Sequence, residues 1–245
     1  MIALAREVFA ARLPGGYVFL DLSRDAYSGL AAEDSERLCG LLGRAIEPEE
    51  LKEEERALID FLQEEEILSV GNDENEALKV ACARERGGLT VCEWRPHLAD
   101  LAHATGGSTF IEVLKAGWAI LRAELLLRGG LKDLVREIKD QPMRPKTITL
   151  NSSEENQLAA LLHAVEMARR WYPRKVDCLV GSGALVLLAL WGGLECVLVI
   201  GVQKFPFYAH AWVEHAGRVV NDSSEVQRRL APILVVSPGS AACRS

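Results

Sequence analysis

The chain has 245 residues, with 35 acidic against 28 basic side chains, a net charge of −7, 49% hydrophobic residues and 26% charged ones. That length and composition suit a soluble, globular protein with one ordinary domain and a smaller one. The longest apolar run, ALVLLALW, is too short to cross a bilayer, and MIALAREVF meets Arg6 and Glu7 before a signal-peptide core could form, so a cytoplasmic location is expected.

Residues 1–85 carry 9 Lys or Arg against 20 Asp or Glu, a net of −11, while residues 86–245 carry 19 against 15, a net of +4. The acidic front end reads as three strands and three helices. A strand from Glu7 to Leu13 meets a turn at Pro14-Gly15-Gly16, YVFLDL follows, and a second turn at Ser23-Arg24 leads into AYSGL. Helices are expected near Ala32 to Gly43, near Lys52 to Glu66, and from about Asn75 onward. Such a unit is winged-helix-like, but a domain so acidic would be repelled by backbone phosphates, which excludes nucleic acid as its partner.

Residues 86–145 read as a helical connector. STFIEVLKAGWAILRAELLLRGG is apolar at Phe110, Ile111, Val113, Leu114, Trp118, Leu121 and Leu125, which predicts a stripe facing the core. LKDLVREIK follows before Pro142 and Pro145. Cys82, Cys92, His97 and His103 match no tight ligand spacing, so no metal site is expected. The six cysteines, these two with Cys39, Cys178, Cys196 and Cys243, suit free thiols in a reducing compartment.

Residues 146–245 carry the chemistry. SSEENQLAALLHAVEMARRWY opens on a capping-box pattern at Ser152 and Glu155 and ends before Pro173, and it is expected to lie beside the next helix. DCLVGSGALVLLALW starts with Asp177, a favoured N-cap, so Cys178 falls in the first turn, where the helix dipole favours a thiolate. After Gly192-Gly193 come the strands CVLVIGVQK, FYAHAWVE and RVVND, with His210 on the second and Asp222 just past the third. A cysteine, a histidine and an aspartate in that order form a thiol-protease arrangement: the imidazole activates the sulfur and the carboxylate holds the ring. His215, next to a turn at Ala216-Gly217, is expected to face solvent, and Asp222 has an alternative role as a turn cap. GSGALVLL lacks the lysine of a phosphate loop, and no cofactor is evident.

The spacings of 32 and 12 residues and the strings CLVGS, PFYAHAWVE and VVND resemble the lasso-peptide biosynthesis B proteins over roughly residues 150 to 240. That resemblance implies a leader peptidase with a transglutaminase-like, papain-like fold, in which Cys178 is the nucleophile, His210 the general base and acid, and Asp222 the orienting carboxylate. The partners it implies are the leader of a ribosomally made precursor and an asparagine-synthetase-like cyclase that closes the lasso ring. ATP dependence is implied by the resemblance alone. Gly181 and Leu190-Trp191-Gly192-Gly193 depart from it, since many relatives carry an arginine and a basic stretch there.

The front unit resembles, by pattern, the RiPP recognition element that binds leader peptides. The resemblance implies that the leader adds as a strand along Asp25, Ala26, Tyr27, Ser28, Gly29 and Leu30, gripped between that edge and the third helix. The expectation is an α+β chain: a recognition domain at 1–85, a helical connector at 86–145 and a cysteine protease domain at 146–245, made of a helix bundle with a small antiparallel sheet. Alternatives are a transglutaminase-type acyl transferase and a catalytically inactive peptide-binding scaffold.

Overall fold

In the computed structural model the described residues are 2–42, 51–70, 80–82, 108–142 and 152–239. They form a mixed α/β architecture in two units: Met1–Leu89 with Val202–Tyr208 and Arg229–Ile233, and Thr90–Gly201 with Ala209–Arg228 and Leu234–Ser245.

The first unit begins with β1 (Ile2–Leu4), followed by β2 (Val8–Leu13), β3 (Gly16–Asp21) and β4 (Ala26–Gly29). β2 and β3 pair antiparallel from Val8↔Asp21 to Leu13↔Gly16, and β3 pairs with β4 from Val18↔Gly29 to Asp21↔Ala26. Proline and glycine occupy the β2–β3 turn because Pro14 presets its own φ, while Gly15 sits at φ 90° and Gly16 at φ 125°.

Helices α1 (Ala32–Leu41) and α2 (Glu53–Glu64) follow, and their buried faces, with Leu38, Leu58 and Leu62, share one core with Tyr17 and Phe19 of β3. Ser35, buried in α1, accepts the Tyr17 N–H at 2.8 Å and locks that helix to the strand.

These three strands and two helices stand where sequence reasoning expected them. Two strands went unforeseen: β1, and its antiparallel partner β5 (Leu68–Val70). Of the third helix, expected from about Asn75, residues 75–79 lie outside the described residues, and Val80–Cys82 form the strand β6 instead. β6 runs parallel to β2, giving the order β4-β3-β2-β6. The open edge of β2 supplies unpaired backbone groups, and pairing with them outweighs the local helical pattern.

In the second unit, α3 (Phe110–Arg128), α4 (Leu131–Lys139), α5 (Ser152–Trp171) and α6 (Cys178–Trp191) pack together, with α3 against both α5 and α6. Thr109 caps α3 with a capping box: its hydroxyl accepts the Glu112 N–H at 3.3 Å, and Glu112 takes the Thr109 N–H at 2.6 Å.

The orientation of α3 overturns the expected stripe. Phe110, Ile111, Leu114, Trp118 and Leu125 are exposed, and the buried face is Ala116, Ala119, Ile120 and Ala123. Small residues at helical spacing let α6 approach closely. At Gly183 of α6 an added Cβ would lie 2.9 Å from a Leu134 methyl and 3.6 Å from Ala123 Cβ. Dense contact along this narrow seam gains more than burying wide side chains that hold the helices apart.

The chain continues through β7 (Val197–Gln203), β8 (Tyr208–His215), β9 (Arg218–Val219), α7 (Glu225–Arg229) and β10 (Ala231–Val236), forming a sheet of order β10-β7-β8-β9. The β8–β9 turn is Ala216-Gly217, with φ 49° and 77°, the positive pair a tight hairpin demands. No helix among the described residues is long and apolar enough to cross a membrane.

Gly16 is where a methyl group is least tolerable: its φ is 125°, and an added Cβ would lie 2.2 Å from the Leu30 carbonyl oxygen. Gly16→Ala is expected to destabilise the first unit by at least about 2 kcal/mol, read as a lower midpoint in urea unfolding.

Candidate active site

Asp177 sets the position of the sulfur. Its backbone is extended and its carboxylate accepts the Val180 N–H at 2.8 Å, so α6 starts at Cys178 and the thiol lies in the first turn. The segment entering that turn is tied from outside. Arg169 donates to the Val176 carbonyl at 3.1 Å, and Glu124 of α3 receives the Tyr172 hydroxyl at 2.5 Å together with the Arg174 guanidinium. These donors, with Arg128, pull the Glu124 carboxyl down to about 2 against a smaller opposing push from burial, the Tyr172 hydroxyl contributing most.

Gly181 leaves room beside this turn. An added Cβ there would sit 3.9 Å from the Arg169 guanidinium.

His210 lies on β8 with 2% of its surface exposed, next to the fully buried Trp212 on the same face of the strand. Its Nε2 meets Asp222 Oδ2 at 2.7 Å, and the Asp222 side chain is 4% exposed. The same carboxylate also accepts the Ser223 N–H through Oδ1 at 2.6 Å, so Asp222 holds the ring and caps its own bend at once. The Cys178 thiol hydrogen-bonds to the same imidazole and receives the Ala211 N–H.

These contacts set the protonation states. Burial pushes the Cys178 thiol up, but the bonds from His210 and Ala211 and the imidazolium charge prevail, so its pKa falls below the ordinary value. Burial pushes His210 down, yet Asp222 and the sulfur raise it to about 9. The pair therefore favours a thiolate beside an imidazolium, the reactive form of a cysteine nucleophile.

The other cysteines differ. Cys196 is fully buried and pushed up to about 12, chiefly by burial, and Cys39 of the first unit receives an Arg12 N–H at 2.9 Å. His215 was expected to face solvent but is buried, its Nδ1 2.6 Å from the Glu195 carbonyl oxygen. That carbonyl, just ahead of β7, gives the ring a buried partner, which removes the reason for it to point outward.

Residues 121–235 match the family model described as the transglutaminase-like superfamily. The chain is also similar to the Microcin J25-processing protein McjB of Escherichia coli, 42% identical over 59 residues, 24% of this chain and 28% of that relative. The resemblance to the lasso-peptide biosynthesis B proteins holds. Residues 121–235 are a transglutaminase-like domain, whose matched stretch starts inside α3 and takes in Cys178, His210 and Asp222. The chain spans just over a quarter of the curated relative's length, 28%. No solved structure matches it.

The positions suggested for leader binding lie on the other unit. Ala26, Tyr27, Ser28 and Gly29 form β4, an edge strand exposed along its whole length, and Asp25 precedes it at φ 54°. Leu30 differs: it is buried, its N–H donates to the Tyr17 carbonyl at 2.9 Å, and its own carbonyl accepts the Lys204 ammonium. Tyr27 stacks obliquely on Phe207, ring centroids 5.4 Å apart, within this unit. Cys92, His97 and His103 lie outside the described residues, and among the described residues no group of three side chains could hold a metal ion.

Two residues near the thiol escaped sequence reasoning. Ser182 and Asn221 lie beside Cys178 and Asp222, and the available signals were a hydroxyl four positions after the cysteine in an apolar helix and an amide just before the aspartate.

The contrast between half-buried Cys178 and fully buried Cys196 can be measured. Iodoacetamide near neutral pH is expected to alkylate Cys178 at least about tenfold faster than Cys196 in the folded protein, read by peptide mass spectrometry.

Proposed function

We propose that the chain is a cysteine peptidase that hydrolyses the leader–core bond of a lasso-peptide precursor through a thioester on Cys178. The reading rests on the hydrogen-bonded run from the Cys178 thiol through buried His210 to Asp222. The thiolate attacks the scissile carbonyl, the C–N bond breaks, and the His210 imidazolium protonates the departing amine of the core. Water, deprotonated by His210, then attacks the thioester and releases the leader as a carboxylate. The Cys178 N–H at the start of α6 is one donor for the oxyanion. Asp222 keeps the ring oriented and stabilises its charge.

The first unit would recruit the leader. β4 lies at the edge of its sheet and is exposed along its length, where a leader would add as a further strand with Tyr27 as an apolar wall, as in β-augmentation. A leader docked on the same chain as the nucleophile meets it at an effective concentration on the order of millimolar rather than at its bulk value. The core released in this way would pass to an asparagine-synthetase-like cyclase.

Three measurements test this reading. With a leader–core precursor peptide, Cys178→Ala is expected to lose at least about a thousandfold in cleavage rate, and the wild-type product should be a leader with a free carboxylate. An amide-linked product would reveal acyl transfer to an amine, and undiminished cleavage by Cys178→Ala would overturn the nucleophile. Deleting residues 1–85 is expected to weaken leader binding by tenfold or more on the order of magnitude of one added strand, as followed by fluorescence anisotropy.

The pH dependence carries a sign. Acylation needs the thiolate and the imidazolium together, so the rate rises as the thiol loses its proton and falls as the His210 ring loses its own, near pH 9. Asp222→Asn removes the largest contribution raising His210, so its alkaline limb should move to lower pH.

A further inference from the structure

We propose that Ser182 and Asn221 are positioning residues that hold the helix bearing Cys178, the strand bearing His210 and the bend bearing Asp222 in one register. The inference rests on the catalytic reading of those three residues.

A closed set of hydrogen bonds carries it. Ser182, one helical turn beyond Cys178 and 1% exposed, donates its hydroxyl to the Ala211 carbonyl at 2.9 Å. Asn221 donates its Nδ2 to the same hydroxyl at 2.9 Å and accepts the Val213 N–H on Oδ1 at 2.7 Å. Each group has the partner its chemistry requires, and only this orientation of the amide satisfies both ends.

The connections fall beside the reacting groups. Ala211 follows His210, and its N–H faces the Cys178 sulfur while its carbonyl is held by Ser182. The peptide groups on either side of Ala211 are thus pinned to α6, one through the sulfur and the other through the hydroxyl. Asn221 precedes Asp222 and grips β8 at Val213, so the carboxylate and the imidazole strand cannot slide past each other.

A serine hydroxyl buried in a helix as apolar as CLVGSGALVLLALW needs a compensating role, because an apolar residue there would avoid the desolvation penalty. Setting the distance between sulfur and ring is such a role, since misplacement by about 1 Å can lower a rate on the order of a hundredfold.

The test needs no substrate. Ser182→Ala and Asn221→Ala are compared with wild type in the full chain by the pH profile of iodoacetamide alkylation at Cys178, with Cys196 as an internal reporter of packing. The groups facing the thiol are His210 and the Ala211 N–H from β8 and Asp177 at its own helix start, with Asp222 behind the ring.

In both variants the alkylation rate at neutral pH is expected to fall at least about tenfold and the profile to move to higher pH, while Cys196 stays unlabelled. The double variant should lose little more than Asn221→Ala alone, because the two residues act through one node. If Asn221→Ala fails to fold, Ser182→Ala decides. Variants whose Cys178 profile overlays that of wild type would overturn the proposal, as would a loss at Cys178 that appears only together with new labelling of Cys196. A wild-type Cys178 that reacts no faster than a free thiol would instead overturn the catalytic reading beneath it.

Discussion

The second unit is organised around one buried ionisable pair, His210 and Asp222, joined at 2.7 Å and almost sealed from solvent. Taking both groups out of water carries a desolvation penalty that a single contact does not offset. Each remaining polar atom therefore has to be satisfied. Asp222 Oδ1 takes the Ser223 N–H, and the ring also hydrogen-bonds to the Cys178 thiol. Such satisfaction demands that a helix start, the middle of a strand and a bend after a hairpin converge closely.

The helix can come so near because its buried length is made of small and aliphatic residues. Gly181 to Ala189 are all buried, and Gly183 lies under Leu134 and beside Ala123 of neighbouring helices. Close helix packing and the polar site are therefore one problem solved twice. The seam between α3 and α6 fixes where the helix runs, and its first turn then delivers the sulfur. Function here rests on packing that never touches a reactant.

Much of this was legible in the residues. Asp177 before an apolar run marked the helix start, Gly192-Gly193 its end, and Ala216-Gly217 the hairpin, because caps and positive-φ turns are local requirements. The order of cysteine, histidine and aspartate was equally plain, and the geometry brings all three together.

What could not be read depended on partners distant in sequence. The apolar residues of α3 have helical periodicity, but periodicity does not say which of two apolar faces turns inward, and the alanine face won through closeness of approach. His215 looked solvent-facing from its place beside a turn until the Glu195 carbonyl gave it a buried partner. β6 exists through the edge of β2, and Ser182 shows its meaning only once Asn221 lies across from it.

Glu124 has a consequence of its own. One carboxylate gathers Tyr172, Arg174 and Arg128, and these donors hold it ionised down to about 2. The tether on the segment ahead of the nucleophile is thus indifferent to ordinary acidification. In a souring medium it is the sulfur that fails, by regaining its proton beside a ring that stays charged, while the mooring upstream stays fast.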